Sequence, residues 1–182
     1  MLNLFAYTGG ATVACARAGA RVCHVDAAKG MVAWAKENAR SSGLSEAPIR
    51  WIVDDCVKFV EREIRRGNHY DGIIMDPPSY GRGPKGEIWK IEESIHPFVQ
   101  LCAKLLSDQP LFYLINSYTT GLAPAVLTYM LSTELVPRKS VFPSQTAVWC
   151  CHAALPDAGR HKRIRIISQR TYKKACSGPL NP

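Results

Sequence analysis

Short apolar runs alternate with amphipathic segments along most of the chain. The apolar runs predict strands at 2–7, 21–25, 49–53, 70–75 and 111–116. The segments between them predict helices at 11–19, 29–42, 55–66, 92–106 and 122–134. In the second of these helices, Val32, Ala35 and Ala39 fall on one face, and Gly43 follows as a stop signal. The stretches TAVWCCHAAL and RIRIIS predict two further strands near the C-terminal end.

This order of elements predicts a single α/β domain that covers residues 1–182. Alternating strands and helices, with central strands that are apolar throughout, are typical of a mainly parallel sheet with helices on both faces. The last two strands are expected to form an antiparallel pair. Sheets of this kind bind ligands beyond the carboxyl ends of their strands, where the strand order reverses. The residues that follow each predicted strand are therefore the candidates for a ligand site.

The composition is that of an ordinary globular protein. Apolar residues make up 47% of the chain and charged residues 21%, which excludes a disordered protein. No apolar run approaches the roughly 20 residues needed to span a bilayer, and the start lacks the features of a signal peptide. The seven cysteines are odd in number and contain no CxxC, so reduced thiols are expected rather than disulfides or a zinc site. These features predict a bacterial-type cytoplasmic protein without a membrane or metal partner.

The net charge of +8 lies in the last quarter of the chain. Residues 135–182 carry nine Lys or Arg residues and a single acid, Asp157, whereas residues 1–134 are balanced. The densest basic stretch is RHKRIR at 160–165. A patch of this kind would attract a polyanion such as RNA, but a solvated basic tail explains the same pattern equally well.

Acids or glycines follow four successive predicted strands. The motif TGG follows the first strand, and acids lie at the ends of the next three, namely Asp26, the pair Asp54 and Asp55, and Asp76. One acid at a strand end would be ordinary. Four such positions, brought to one edge of a parallel sheet, predict a ligand-binding site.

These residues fit a ligand that carries ribose and adenine but no pyrophosphate. The run YTGGAT does not match the GxGxxG pattern of a dinucleotide enzyme, which disfavours a nicotinamide-dependent oxidoreductase. Asp26 lies 17 positions after Gly9, where a carboxylate accepts hydrogen bonds from two ribose hydroxyls. A simple helix cap is the alternative for Asp26. Either Asp54 or Asp55 is placed to accept from an adenine amine, and S-adenosylmethionine (SAM) is a ligand of this kind.

The stretch DPPSYGRGPKG, residues 76–86, follows the apolar run of the fourth strand. Asp76 and Pro77 each precede a proline, so the chain leaves the strand extended and stiff. Neither proline has an N–H, so this exit offers a carboxylate and carbonyl oxygens with few competing donors. A rigid Gly/Pro turn is the structural explanation, and a pocket for a group with N–H bonds to donate is the functional one.

Four motifs, taken in their order and spacing, resemble the SAM-dependent methyltransferases of bacterial large-subunit ribosomal RNA. They are LNLFAYTGG, HVDAAKGMVAWAKENA, VDDCVKFV and IIMDPPSY, and the resemblance extends over about residues 2–120. That family includes cytosine carbon-5 and guanine nitrogen-7 enzymes. The resemblance implies a Rossmann-like class I methyltransferase fold, SAM as the cofactor and RNA, in particular ribosomal RNA, as the partner. The family also has an upstream RNA-binding region, which this chain is expected to lack.

The resemblance assigns roles to individual positions. Asp26 would bind the ribose, Asp55 rather than Asp54 would bind the adenine end, and Asp76 would lie beside the methyl group. Phe5 and Tyr7 would line the cofactor, although simple core packing explains them too. The full set of positions implied for the cofactor is Phe5, Tyr7, Gly9, Asp26, Ala27, Asp55 and Asp76.

A nucleobase pocket is the functional expectation for DPPSY. The methylatable atom of a base is buried within a helix, so such enzymes flip the base out or take single strands. Asp76 and the Pro77 carbonyl would hold the base edge, and Tyr80 would stack on its face. The positions expected near RNA phosphates are Arg82, Lys85, Arg160, Lys162 and Arg163.

The target atom is predicted from a missing cysteine. Methylating carbon 5 of a pyrimidine requires a cysteine that adds to the ring, because that carbon is a poor nucleophile. In carbon-5 members of the family this cysteine follows the fifth strand, where this chain has NSYTTG with Ser117 at that position. A ring or exocyclic nitrogen is therefore the expected target. A cytosine carbon-5 enzyme and an inactive SAM- or RNA-binding fragment are the alternatives.

Overall fold

The computed structural model describes residues 1–82, 86, 88–135, 147–152 and 164–166, the last two ranges as backbone alone. Its strands are β1 (Leu2–Leu4), β2 (Val22–Asp26), β3 (Ile49–Val53), β4 (Gly72–Met75), β5 (Tyr80–Arg82), β6 (Ile88–Lys90), β7 (Phe112–Ser117), β8 (Ala147–His152) and β9 (Ile164–Ile166). Its helices are α1 (Gly10–Arg17), α2 (Lys29–Ser41), α3 (Cys56–Arg65), α4 (Ile91–Ala103) and α5 (Pro124–Leu135). The predicted helices agree with these bounds to within three residues at each end.

The main sheet of the described residues has the strand order β3-β2-β1-β4-β7-β8-β9. Every neighbouring pair from β3 to β8 is parallel, and β9 runs antiparallel to β8. The chain builds outward from β1 to β3 and then crosses back to β4 on the other side of β1. Strand order therefore reverses between β1 and β4, where a parallel sheet opens a ligand crevice at its carboxyl edge. The predicted mainly parallel sheet and the C-terminal antiparallel pair are confirmed.

Helices cover both faces of this sheet. Leu2 and Leu4 of β1 are fully buried in a hydrophobic cluster with residues of α3, α4 and α5. Asn3 lies between them and so points to the opposite face, where its Nδ2 donates to Thr12 Oγ1 of α1 at 2.9 Å. The arrangement of helices predicted from the apolar runs is therefore confirmed.

A buried polar trio links α1 to the sheet. Thr12 Oγ1 accepts from Asn3 and is hydrogen-bonded to His24 Nδ1 at 2.9 Å. His24 is fully buried against the Trp51 ring, and its Nε2 has no partner among the described residues. Burial lowers the pKa of His24 to about 4, although the charge of Asp26 opposes this shift. The imidazole is therefore neutral in the folded protein at neutral pH.

We expect His24 to destabilise the fold as the pH falls from about 6.5 to 4. The unfolded chain binds a proton at this imidazole below its ordinary pKa, whereas the folded protein excludes that proton down to about pH 4. The difference removes on the order of 3 kcal/mol of unfolding free energy at the acid end of the range. Urea unfolding of the wild type and of His24→Gln at several pH values would measure it. If the unfolding free energies of the two proteins changed with pH in the same way, this role of His24 would be contradicted.

Two features differ from the sequence predictions. β1 ends at Leu4 rather than at residue 7, because Phe5 and Tyr7 adopt left-handed backbone angles, with φ of 53° and 48°. That conformation is uncommon for residues other than glycine and does not continue a strand. In addition, β5 and β6 form an antiparallel hairpin where the sequence predicted a loop. Each of these strands has three residues, too few for a periodic apolar pattern to reveal.

Several predictions fall on residues that the structure does not describe or test. The proposed RNA contacts that lie outside the described residues are Lys85, Arg160, Lys162 and Arg163. Within the described part of the chain, no helix is both long and apolar enough to span a bilayer. The same residues contain no cluster of three His, Cys, Asp or Glu side chains suited to a metal ion. The single-domain boundary at 1–182 and the absence of a metal partner stay predictions.

Candidate functional site

The exits of β1 and β2 meet at the carboxyl edge of the sheet, where Asp26 joins them. Asp26 is half-buried at the end of β2, and its Oδ2 accepts from the Tyr7 amide at 2.8 Å. Its Oδ1 accepts from the Ala28 amide at 2.9 Å. A carboxylate has about four acceptor sites, so both oxygens retain room for a further donor. Asp26 thus shapes the loop between β1 and α1 while presenting a carboxylate to a ligand.

The helix-cap alternative for Asp26 does not hold. The N-cap residue of α2 is Ala28, two positions further on. Ala27, the intervening residue, is exposed beside the carboxylate. Tyr7 is 61% exposed, so core packing does not explain it either. These residues therefore remain candidates for ligand contacts.

Gly9 allows the loop after β1 to turn into α1. Its φ of 84° lies in the left-handed region, and it is the N-cap residue of α1. A Cβ at this position would come within 2.9 Å of Ala35 Cβ on α2. Both the backbone angle and the packing therefore require glycine, and the helix begins close to the crevice.

Phe5 packs into the core. Its ring contacts Trp89 of β6 and Phe98 of α4, with centroids 5.2 and 5.8 Å away. The Phe5 amide donates to Cys56 Sγ at 3.3 Å, which holds the exit of β1 against α3. The core-packing interpretation of Phe5 is therefore supported, and a cofactor contact by this residue stays a prediction.

The two acids after β3, which sequence reasoning did not separate, have different surroundings. The carboxylate of Asp54 pairs with Arg62 of α3 and also accepts from the Asp55 amide at 2.9 Å. Asp55 is the N-cap residue of α3, and its Oδ1 accepts from the Lys58 amide at 3.0 Å. Because a cation already neutralises Asp54, Asp55 is the better candidate for accepting from an adenine amine.

Asp76 lies at the exit of β4, next to the exit of β1. Its amide donates to Leu4 O at 3.4 Å, and its carboxyl accepts from the side chain of Asn116 at the end of β7. The residue as a whole is exposed. Partial burial of its carboxyl nevertheless raises the pKa, and the Asn116 hydrogen bond opposes that shift. A carboxylate held in this way is able to accept hydrogen bonds from a ligand in the crevice.

The rest of DPPSY is fixed by contacts with distant residues. Pro77 is buried, and the Pro78 carbonyl accepts from Trp89 Nε1 at 2.7 Å. Ser79 Oγ and Thr119 Oγ1 lie 2.6 Å apart in a hydrogen bond that ties this exit to the one after β7. The stretch is thus an anchored strand exit, and a contact between the Pro77 carbonyl and a base stays a prediction.

Tyr80 and Arg82 lie in β5 of the hairpin. Tyr80 is 52% exposed and pairs in register with Lys90 of β6. Arg82 Nε donates to the Tyr80 hydroxyl at 3.1 Å. Tyr118, just after β7, is also exposed. An exposed aromatic ring beside a guanidinium is suited to stacking on a base whose phosphate lies nearby.

Ser117, the last residue of β7, stands where the resemblance places the cysteine of carbon-5 enzymes, and here it has a structural role. Ser117 is fully buried, and its Oγ accepts from the Thr119 amide at 3.3 Å. Burial raises the pKa of the Cys56 thiol well above its ordinary value, and it raises the pKa of Cys23 and Cys102 as well. Because the thiolate is the nucleophilic form, these three thiols are packing groups at neutral pH.

The first two thirds of the chain match a known family. Residues 1–117 fit the model of the S-adenosylmethionine-dependent methyltransferase family. This chain belongs to that family. Membership confirms SAM as the predicted cofactor and the Rossmann-like class I methyltransferase fold as the predicted architecture.

Individual proteins of known name or structure agree with this assignment. The chain is 27% identical over 142 residues to ribosomal RNA large subunit methyltransferase K of Neisseria meningitidis, covering 77% of this chain and 40% of the relative. It is similar to the crystal structure of a SAM-dependent methyltransferase from Agrobacterium tumefaciens, with 37% identity, a TM-score of 0.72 and coverage of 85% of this chain and 49% of that one. The chain SMU.776, a methyltransferase candidate solved with SAH, is 25% identical with a TM-score of 0.67, covering 81% and 37%. The chain therefore spans less than half the length of these relatives.

The donor and acceptor groups at this edge of the sheet fit SAM. Asp26 offers acceptor sites for ribose hydroxyls, and Asp55 offers a carboxylate for an adenine amine. Gly9 brings the backbone close to the crevice without a side chain. No phosphate-binding glycine pattern is needed, because SAM has no pyrophosphate.

Sequence reasoning missed three residues of the candidate site. Trp89, Asn116 and Thr119 each hold a residue of DPPSY, at separations of 11, 40 and 40 positions. Contacts of this range leave no local pattern in the sequence. For Asn116 and Thr119, the only signal was the position of NSYTTG at the end of a predicted strand, which predicts proximity to the crevice but no partner.

Proposed function

We propose that this protein transfers the methyl group of SAM to a ring or exocyclic nitrogen of a base in ribosomal RNA. The observation that carries the proposal is that two groups of residues border the same crevice. One is Asp26 with the loop between β1 and α1, and the other is the DPPSY stretch at the exit of β4. Leu4, the last residue of β1, pairs in register with Met75, the last residue of β4, so the two exits are neighbours. The relative from Neisseria meningitidis is named for large-subunit ribosomal RNA, which supports the same substrate class.

The cofactor half of the site holds SAM by its ribose and adenine. Asp26 accepts from the ribose hydroxyls with Ala27 beside it, Asp55 accepts from the adenine amine, and the backbone of Tyr7 and Gly9 lines the crevice. SAM supplies an electrophilic methyl group, and its transfer is an in-line displacement that depends mainly on proximity and alignment. The task of this chain is therefore to hold two ligands in a fixed relation.

The base half of the site lies at the exit of β4. Asp76 and the Pro77 carbonyl accept hydrogen bonds from the N–H groups of the base, and Tyr80 stacks on its face. Arg82, which is bonded to the Tyr80 hydroxyl, places a positive charge where the phosphate of a flipped nucleotide would lie. The exposure of Tyr80 and the anchoring of Ser79 support this assignment.

A nitrogen is the proposed target because Ser117 stands where a carbon-5 enzyme would have its cysteine. Ser117 is buried and occupied by the Thr119 amide, and the described thiols Cys23, Cys56 and Cys102 are held protonated by burial. A nitrogen with a lone pair attacks a methyl group without covalent help.

We also propose that Lys85, Arg160, Lys162 and Arg163 contribute to RNA binding, and that the protein acts in the cytoplasm.

Methyl transfer from tritiated SAM to unmodified ribosomal RNA transcripts tests the proposal, followed by mass spectrometry of the nucleosides. We expect label in an N-methylated nucleoside. Label in 5-methylcytidine, or a trapped protein–RNA complex with 5-fluorocytosine RNA, would replace the nitrogen target by the carbon-5 alternative. Binding of SAM without transfer to any ribosomal RNA would leave the inactive SAM-binding fragment.

A further inference from the structure

Trp89 joins the two halves of the site. Its indole Nε1 donates to the carbonyl oxygen of Pro78 at 2.7 Å. Its ring packs against Phe5 and Phe98, with centroids 5.2 and 5.7 Å away. Phe5 directly follows β1 on the cofactor side, and Pro78 belongs to the exit of β4 on the base side. One side chain of the hairpin therefore contacts both exits that border the crevice.

The exit of β4 depends on donors from elsewhere in the chain. Pro77 and Pro78 have no N–H, so these positions cannot anchor the segment by donating backbone hydrogen bonds. Pro78 is the midpoint of DPPSY, two residues from Asp76 and two from Tyr80. A hydrogen bond to its carbonyl therefore fixes the centre of the stretch that is proposed to hold the base.

We propose that Trp89 is a positioning residue that fixes the midpoint of DPPSY against the exit of β1 and so sets the placement of the base relative to the methyl group. This inference rests on the proposed methyltransferase function. Trp89 acts through the Pro78 carbonyl and touches neither ligand. The hydrogen bond is directional, and a tilted contact with Phe5 and an edge-to-face contact with Phe98 fix the plane of the indole. The Trp89 side chain thereby fixes the position of DPPSY and does not only shield it from solvent.

Trp89→Phe separates this role from plain packing, because a phenyl ring retains contacts with Phe5 and Phe98 but has no N–H. We expect kcat for transfer to ribosomal RNA transcripts to fall about tenfold or more, since small misplacements of reacting groups slow a reaction strongly. The Kd for SAM should change by less than about twofold, which is the signature of a lost alignment rather than lost binding. Trp34→Phe is the matched control, because Trp34 is 54% exposed on α2; it should leave kcat and Kd unchanged.

Hydrogen exchange followed by mass spectrometry gives a readout that needs no RNA. In Trp89→Phe, the amides of residues 79–82 should exchange about tenfold faster, whereas those of α2 should keep their wild-type rates. Unchanged exchange at 79–82 would overturn the proposal, as would an unchanged kcat. A wild-type protein that transfers no methyl group would refute the proposed function, while the exchange rates would still decide whether Trp89 holds the loop.

If Trp89→Phe does not fold, the positioning role of Trp89 can be tested on the wild-type protein. In nuclear magnetic resonance spectra, the indole N–H of Trp89 should exchange with solvent at least about tenfold more slowly than that of Trp34. Equal exchange rates at the two indoles would show that the bond to Pro78 is not maintained, and the positioning role would be refuted.

Discussion

Replacing Asp26 by alanine is expected to weaken SAM binding by about 2–3 kcal/mol, or about 30- to 150-fold in Kd. Hydrogen bonds to a charged acceptor are stronger than those between neutral groups, and the proposal gives Asp26 two of them from ribose hydroxyls. The substitution also deprives the amides of Tyr7 and Ala28 of their acceptor. The loop that lines the cofactor is thereby loosened. Isothermal titration calorimetry with SAM measures the change directly.

Two further variants separate this role from general damage to the fold. Asp108→Ala removes an exposed acid ahead of β7, at the opposite edge of the sheet, and should leave the Kd for SAM unchanged. Asp26→Asn keeps the size and one acceptor oxygen, so its Kd should lie between those of the wild type and Asp26→Ala. Thermal unfolding shows whether each variant is folded. A folded Asp26→Ala protein with wild-type affinity would remove Asp26 from the cofactor site.

The cofactor half of the site could be predicted from sequence because a parallel sheet collects its strand exits at one edge. Asp26 and Asp55 need only follow a strand to reach that edge, so the alternation of elements suffices to place them. The backbone between β1 and α1 could not be predicted in the same way. The left-handed angles of Phe5 and Tyr7 accompany a hydrogen bond from Tyr7 to Asp26 across 19 positions. An apolar run alone indicates a strand there, which is wrong beyond Leu4.

The position of the base half of the site could be predicted from the sequence, but its conformation could not. The prolines of DPPSY predict a stiff exit, and Gly and basic residues after it predict a loop. What forms instead is a hairpin, in which Tyr80 pairs with Lys90 and Trp89 reaches back to Pro78. These interactions are tertiary, since they depend on the position of Phe5 and Phe98 in the folded core. The helix and strand propensities of the individual residues therefore do not predict these interactions.

Asp76→Ala is expected to reduce kcat for methyl transfer to RNA by at least about 100-fold while SAM still binds. The substitution removes the carboxylate proposed to hold the base edge, and a base that is not aligned with the methyl group reacts slowly. Transfer of tritium from labelled SAM to RNA at saturating substrate measures kcat, and calorimetry measures SAM binding.

Asp71 provides a matched control at the other end of β4. Its carboxylate accepts a hydrogen bond from Ser107 Oγ at 2.8 Å, away from the crevice. Asp71→Asn should therefore retain the wild-type kcat. Full activity in a folded Asp76→Ala protein would mean that DPPSY does not hold the base.

The acid side of the pH–activity profile tests the charge state of Asp76. Burial raises the pKa of this carboxyl, and the hydrogen bond from Asn116 opposes the shift. Since the ionised carboxylate is the proposed acceptor, kcat/KM should decline as the pH falls through that raised pKa. Asn116→Ala removes the opposing hydrogen bond and raises the pKa further, so the acid limb should move to higher pH. If the acid limb of the folded Asn116→Ala protein lay at the same pH as that of the wild type, the limb would belong to another group. Asp76 would then not act as an ionised acceptor.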